Sequence, residues 1–162
     1  MECSPTEASR LSKYIEPVTV REAFRLSPLL RHEDRRELMG VGHHPMAALP
    51  LSVGLSTNPI KFFNQDHEVA GLAGVVDEGQ GIGRVWMLCT PAVDKMPFTL
   101  VREAKHWLDS QPYSMLHNIA DPRNRIHLKL LHMLGFKRLS YVPVGPKHLT
   151  YVEFAKLCAT PS

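Results

Sequence analysis

The sequence predicts an α/β domain with a mixed, mainly antiparallel central sheet of six or seven strands flanked by helices. Three observations predict it. The elements run strand, two or three helices, three strands, helix, strand, helix, two strands, so an antiparallel meander gives way to alternating helix and strand. Two stretches in the second half carry helical apolar periodicity. The 162 residues are 44% hydrophobic and 22% charged, the balance of an ordinary globular domain. We read residues 1–162 as a single domain, with 1–11 and 159–162 as frayed termini.

Ser12 to Val18 reads as a short strand, confined toward an edge by Pro17. Thr19 and Glu22 have capping-box spacing, so a short helix follows through Leu26. Ser27-Pro28 then restarts a helix as cap and first helical position, running from Leu29 to Met39 and ended by Gly40 and Gly42. His44-Pro45 opens another through Leu49, closed by Pro50. The stretch from Leu51 to Thr57 is ambiguous.

From Ile60 the pattern changes. Ile60–Phe63 reads as a strand, Asn64–His67 as a turn and Val69–Val76 as a small-residue strand. The glycine-rich Asp77–Gly83 segment leads into the apolar run Arg84–Thr90, a buried strand. Pro91 to Pro97 is a connection. Leu100, Ala104, Trp107 and Leu108 recur at helical spacing and predict an amphipathic helix over 98–109. Tyr113–Asn118 reads as a central strand. Asp121-Pro122 is expected to start the next helix, well buried, with Ile126, Leu130, Met133 and Leu134 on an apolar face that Leu128 and Leu131 widen, and with Gly135 at its end. Phe136–Pro143 and Leu149–Phe154 are the last strands, joined by a Gly145-Pro146 turn.

Composition excludes several classes. No apolar run reaches the roughly 18 residues of a membrane span, and the first ten residues are polar rather than signal-like. Net charge is +3, too mild to argue for specific nucleic-acid binding. Cys3, Cys89 and Cys158 are odd in number and lack ligand spacing, which suits a reducing compartment. His32, His43 and His44 read as solvated, and His127 and His132 are badly spaced to share a metal, so no metal site is expected. Cys89 reads as a buried small hydrophobe, Trp86 and Trp107 as core, and the charged run Arg31–Glu37 as a solvated helix face with opposite-sign pairs.

One motif carries a resemblance. In Asn124–Phe136 an Asn is followed twelve residues later by the Phe of a Leu-Gly-Phe ending. This resembles the late helix of the GNAT N-acetyltransferases, whose element order the chain also follows. Ile15–Thr19 looks like that family's opening strand running into its first helix. Arg31–Leu38, His44–Leu49, Val85–Thr90 and the Asn124–Phe136 helix together resemble the small GNAT-like proteins of short-tailed bacteriophages, which are related to their internal virion (core) proteins. The resemblance implies a GNAT-like sheet and a phage gene product, found in the host cytoplasm and the phage particle. It also implies partners among other phage structural proteins or a host protein, with self-association open.

The same resemblance states what acetyl transfer needs. A glycine-bearing loop after the fourth strand offers backbone N–H groups to the coenzyme A pyrophosphate. A donor near the splayed strands meets the oxyanion, and a Tyr on the late helix protonates the thiolate. Here the segment from Thr90 to Thr99 has no glycine, two prolines without N–H groups, and Asp94. Leu131 stands at the Tyr position, and His132 lies about 100° round the helix. Gln80–Arg84 resembles a phosphate loop but precedes its strand, so it reads as a hairpin turn. We therefore expect a catalytically degenerate protein with no confident catalytic residue and no cofactor, acting through protein contacts. The alternative is an acetyl-CoA-dependent N-acetyltransferase acting on a host protein or small amine, its cofactor touching Leu88, Cys89, Thr90, Lys95 and Asn124.

Overall fold

The computed structural model describes residues 12–158; the expected frayed ends, 1–11 and 159–162, lie outside the described residues. Thr19 and Glu22 form the expected capping box at the start of α1 (Val20–Leu26), with Glu22 accepting from the Thr19 N–H at 2.8 Å and Thr19 accepting from the Glu22 N–H at 3.2 Å. Glu22 also meets Lys61 at 2.5 Å, which fastens α1 to the sheet and, with the cap, holds the Glu22 carboxyl below its usual range.

The next helix does not begin at Ser27-Pro28. Those residues form a single 3₁₀ turn with Leu29, and the Ser27 hydroxyl donates backward to the Ala23 carbonyl at 2.8 Å instead of capping forward. The chain then extends through Leu30 and Arg31, and α2 occupies His32–Gly40. Nor does Pro50 close a helix: α3 runs from Pro45 to Leu55 straight through it. His44 caps α3 by accepting the Met46 N–H at its Nδ1. Pro50 removes one helical hydrogen bond, but Leu49, Pro50 and Val53 are buried against the sheet, and that apolar contact outweighs the local penalty.

One sheet carries all seven strands in the order β1-β2-β3-β4-β5-β7-β6. They are β1 (Ile15–Pro17), β2 (Thr57–Phe63), β3 (Val69–Asp77), β4 (Ile82–Cys89), β5 (Met115–Ala120), β6 (Lys137–Val144) and β7 (Leu149–Leu157). Every neighbouring pair is antiparallel except β4 and β5. The β3–β4 hairpin turns through Gly79, Gln80 and Gly81, all at positive φ, so the glycine-rich stretch is a turn as the sequence suggested.

The two faces differ. Leu72, Leu88 and the half-buried Trp86 lie under α1 and α3. Val75, Val85, Leu116, Val152 and Phe154 lie on the other face, under α4 (Pro97–Asp109) and α5 (Arg125–Met133). Gly135 ends α5 with φ +91°, and Phe136 drops into the core edge-on to Phe154 at 5.2 Å. Among the described residues no helix is long and apolar enough to cross a membrane.

The start of α5 departs from expectation. Asp121 is not its cap. The buried Asp121 carboxylate accepts the Arg123 N–H at 2.9 Å and the Arg123 guanidinium at 2.7 Å, and Asn124 caps the helix by accepting from His127 N at 3.3 Å. Proline at position 122 therefore belongs to a turn ahead of the helix.

Candidate functional site: the parting of β4 and β5

β4 and β5 pair only over Ile82–Arg84 and Met115–His117, and then separate. The Asn118 side chain spans the start of the gap, donating to the Val85 carbonyl at 2.8 Å. Backbone groups alternate from edge to edge along a strand, and Thr90 N bonds back to β3. Val85, Met87 and Cys89 therefore turn their N–H and C=O groups into the gap.

Helix α2 lies across the open end. The Arg31 N–H donates to the Cys89 carbonyl at 2.8 Å, and the Cys89 N–H donates to Asp34 Oδ2 at 2.7 Å. One turn on, Glu37 Oε1 accepts the Asp121 N–H at 3.1 Å, just past the end of β5. Glu37 Oε2 accepts from Asn124 Nδ2 at 3.2 Å and lies 3.3 Å from His127 Nδ1. Tyr151 of β7 donates to the Glu37 carbonyl at 2.8 Å. One helix face thus closes on both diverging strands.

The charged run is therefore solvated only in part: His32, Glu33 and Arg35 are exposed, while Asp34 and Glu37 turn inward. Asp34 is only 4% exposed and takes a fork of hydrogen bonds from Arg31, at 3.1 and 3.3 Å. Burial raises the Asp34 carboxyl above its usual range, partly offset by Arg31 and the Cys89 N–H. For His127 burial disfavours the cation, but the hydrogen bond and charge of Glu37 outweigh it and raise the imidazole above its ordinary value. Burial and the nearby Asp34 charge push the Cys89 thiol up, so it is no ready nucleophile.

A cleft of about 540 Å³ passes through the gap, lined from both helical layers. Leu51 and Leu55 of α3 border it on one face, Leu100, Ala104 and Trp107 of α4 on the other, with Leu131 of α5 alongside. Trp86 and Trp107 are half-buried walls of this cleft as well as flanks of the core, and Trp86 Nε1 donates to Ser56 at 2.7 Å.

The residues singled out in the sequence fall into two groups. Leu88 and Leu131 line the cleft, whereas Cys89 and Asn124 do not line it and are bonded to α2. Thr90 instead donates to the Val69 carbonyl at 2.7 Å, and Lys95 pairs on the surface with Glu68 at 2.8 Å and Asp66 at 3.4 Å. Around Thr90 the Ala92 amide bonds to the Thr90 hydroxyl, the Val93 amide to the Thr90 carbonyl and the Met96 amide to the Val93 carbonyl. His132 is exposed. Among the described residues no three His, Cys, Asp or Glu side chains gather to hold a metal ion. Asp34, Glu37 and His127 were missed as site residues; the only local signal was the i, i+3 spacing of the two carboxylates on one helix face.

No family model matches the chain, and no curated protein matches it in sequence. Solved structures do match in fold. A phosphinothricin acetyltransferase of the GNAT superfamily from Sinorhizobium meliloti, in complex with acetyl-CoA, aligns with a TM-score of 0.66 at 12% identity, covering 91% of this chain and 92% of that one. A GNAT-family acetyltransferase from Streptococcus pneumoniae aligns at 0.62 and 15% identity, covering 90% and 98%. An aminoglycoside acetyltransferase in complex with coenzyme A aligns at 0.62 and 17%, covering 89% and 94%. The chain has the GNAT acetyltransferase fold.

Proposed function

We propose that this GNAT-fold chain is catalytically degenerate and acts by binding. Its proposed partners are structural proteins of a short-tailed phage particle or a protein of the host, met in the host cytoplasm or in the particle. One observation carries the reading: Asp34 and Glu37 of α2 take the backbone donors at the ends of both parted strands.

Supporting this reading, several donors where coenzyme A would lie are already engaged, while the Phe98 and Thr99 N–H groups at the start of α4 carry no partner among the described residues. The Cys89 N–H, which faces the gap, is held by Asp34. Asn124 Nδ2 is held by Glu37. The amides of Ala92, Val93 and Met96 bond within their own turn, and Pro91 and Pro97 have none to offer a pyrophosphate. Leu131 has no proton to give a thiolate.

Titration of the full chain with acetyl-CoA by calorimetry tests this. The expected result is no heat at micromolar ligand, and micromolar binding overturns the reading. Mass spectrometry of purified particles then tests the partner class, and absence of the chain removes the virion role.

A second reading, acetyl-CoA-dependent transfer to a protein or small amine, is favoured by the cleft itself, which lies where β4 and β5 part.

A further inference from the structure

We propose that the face formed by α5 and β6 binds an acidic segment of a partner protein and takes one of its apolar side chains into the groove between helix and strand. The inference rests on the reading that the chain acts by binding a protein, and it names the chemistry that recognises the partner.

Charge is segregated along the chain. From Pro122 to Val152 there is no Asp or Glu, while Arg123, Arg125, Lys129, Lys137, Arg138 and Lys147 all fall there. The whole chain carries a net charge of only +3, so the remainder is acidic on balance. Asp121 neutralises Arg123. Arg125, Lys129, Lys137 and Arg138 are exposed and meet no carboxylate among the described residues. Glu153, the next acid along the chain, points away from α5, because its neighbours Val152 and Phe154 face that helix.

Topology gathers the unpaired cations. β6 is an edge strand, and α5 leads into it. Arg125, Leu128 and His132 share one row of α5. Arg138 and Tyr141 pair with Phe154 and Val152, which puts their side chains on the α5 side of the sheet. Between helix and strand lies a groove of about 330 Å³, walled by Leu128, Phe136 and Phe154 and bordered by the exposed His132, Lys137 and Arg138. Its size is at the low end of the roughly 300–1,000 Å³ of ligand pockets, ample for an apolar side chain.

An apolar side chain entering this groove leaves water, and carboxylates beside it meet cations that no internal acid claims. Ile126 and Tyr141, 73% and 64% exposed, add apolar surface among the charges. Nucleic acid would use the cations, but its bases stack on aromatic rings, and the exposed Ile126 and Met133 offer none. The partner docks through side chains rather than by adding a strand. The bulge between Arg138 and Tyr141, together with Pro143, interrupts the open edge of β6.

The test uses the full chain and a fluorescein-labelled peptide in which Asp and Glu flank a single Phe, followed by fluorescence anisotropy. Binding is expected, and it should weaken as salt rises. Replacing the peptide's Phe by Ser should weaken it about tenfold or more, the burial energy of one large apolar side chain expressed as a ratio. His132→Glu and Arg138→Glu, both at exposed positions, should each weaken it about tenfold by placing like charges together. Lys105→Glu, on an exposed side chain of α4, should change nothing.

The inference is overturned if the peptide does not bind, if a peptide with Lys in place of its Asp and Glu binds as well, or if the Ser peptide matches the Phe peptide. It is equally overturned if Lys105→Glu weakens binding as much as Arg138→Glu, or if an oligothymidylate of equal charge binds more tightly at the same salt. Calorimetry with acetyl-CoA keeps the two readings apart. Micromolar acetyl-CoA binding with peptide binding retained sinks the degenerate reading and supports this surface, whereas a failed peptide without acetyl-CoA binding sinks the inference alone.

Discussion

Asp34 and Glu37, one turn apart on α2, tie together the ends of two strands that no longer touch each other: Asp34 holds the Cys89 N–H at 2.7 Å and Glu37 the Asp121 N–H at 3.1 Å. In a sheet, a backbone donor is ordinarily satisfied by the neighbouring strand. Here the strands part, and carboxylates on one helix replace the missing neighbour.

Removing one of these carboxylates should be costly. Asp34→Ala leaves the Cys89 N–H without its acceptor and the Arg31 guanidinium without its counter-ion, both largely buried. Breaking a buried pair from one side costs about 3–5 kcal/mol, so urea unfolding should show a midpoint loss of that size. A loss under about 1 kcal/mol would mean that α2 is not held by this contact.

The Glu37–His127 pair should make stability depend on pH. The folded-state pKa of His127 is raised above 6.5, so the contribution is full below about pH 6.5 and is lost as pH rises through the raised value. Proton NMR titration should place the imidazole above 6.5, and Glu37→Gln should move it down. An unchanged pKa in that variant contradicts the assigned cause.

Gly83 sits where β4 still pairs with β5, opposite Leu116. An added methyl would overlap Val75 and press on Leu116 and Tyr113, each 3.1 Å away. Gly83→Ala should destabilise by about 1–3 kcal/mol in chemical unfolding, the usual cost of overpacking.

The capping box predicts a smaller effect. Thr19→Ala removes the acceptor for the Glu22 N–H and should cost about 1 kcal/mol in the same assay, with the fold intact by circular dichroism.

Restoring a hydroxyl should not restore chemistry. Leu131→Tyr supplies the thiolate proton donor implied by the family resemblance but leaves Asp34 and Glu37 on the strand ends. Acetyl-CoA turnover with polyamine acceptors should stay at background, and clear turnover in this variant would show that the cleft admits the cofactor unaided.

Much of the fold was legible because its signals are local. The periodicity of α4, the Thr19–Glu22 box and the Gly135-Phe136 ending each lie within a few residues of chain, and each formed as read. Errors came where a local signal met a tertiary contact. Ser27-Pro28 has the spelling of a helix start, yet the chain extends through Arg31 to reach Cys89. Pro50 has the spelling of a stop, yet burial carries α3 past it.

The sequence by itself determined the order of strands and helices and the glycine-free turn after β4, because each is a property of residue type and near spacing. Only the tertiary structure decided what α2 does. Asp34 finds its partner 55 residues along the chain and Glu37 finds Asp121 84 residues along. The i, i+3 spacing puts both carboxylates on one helix face, but it reads the same whether water or a strand end receives them, so packing chooses which face turns inward.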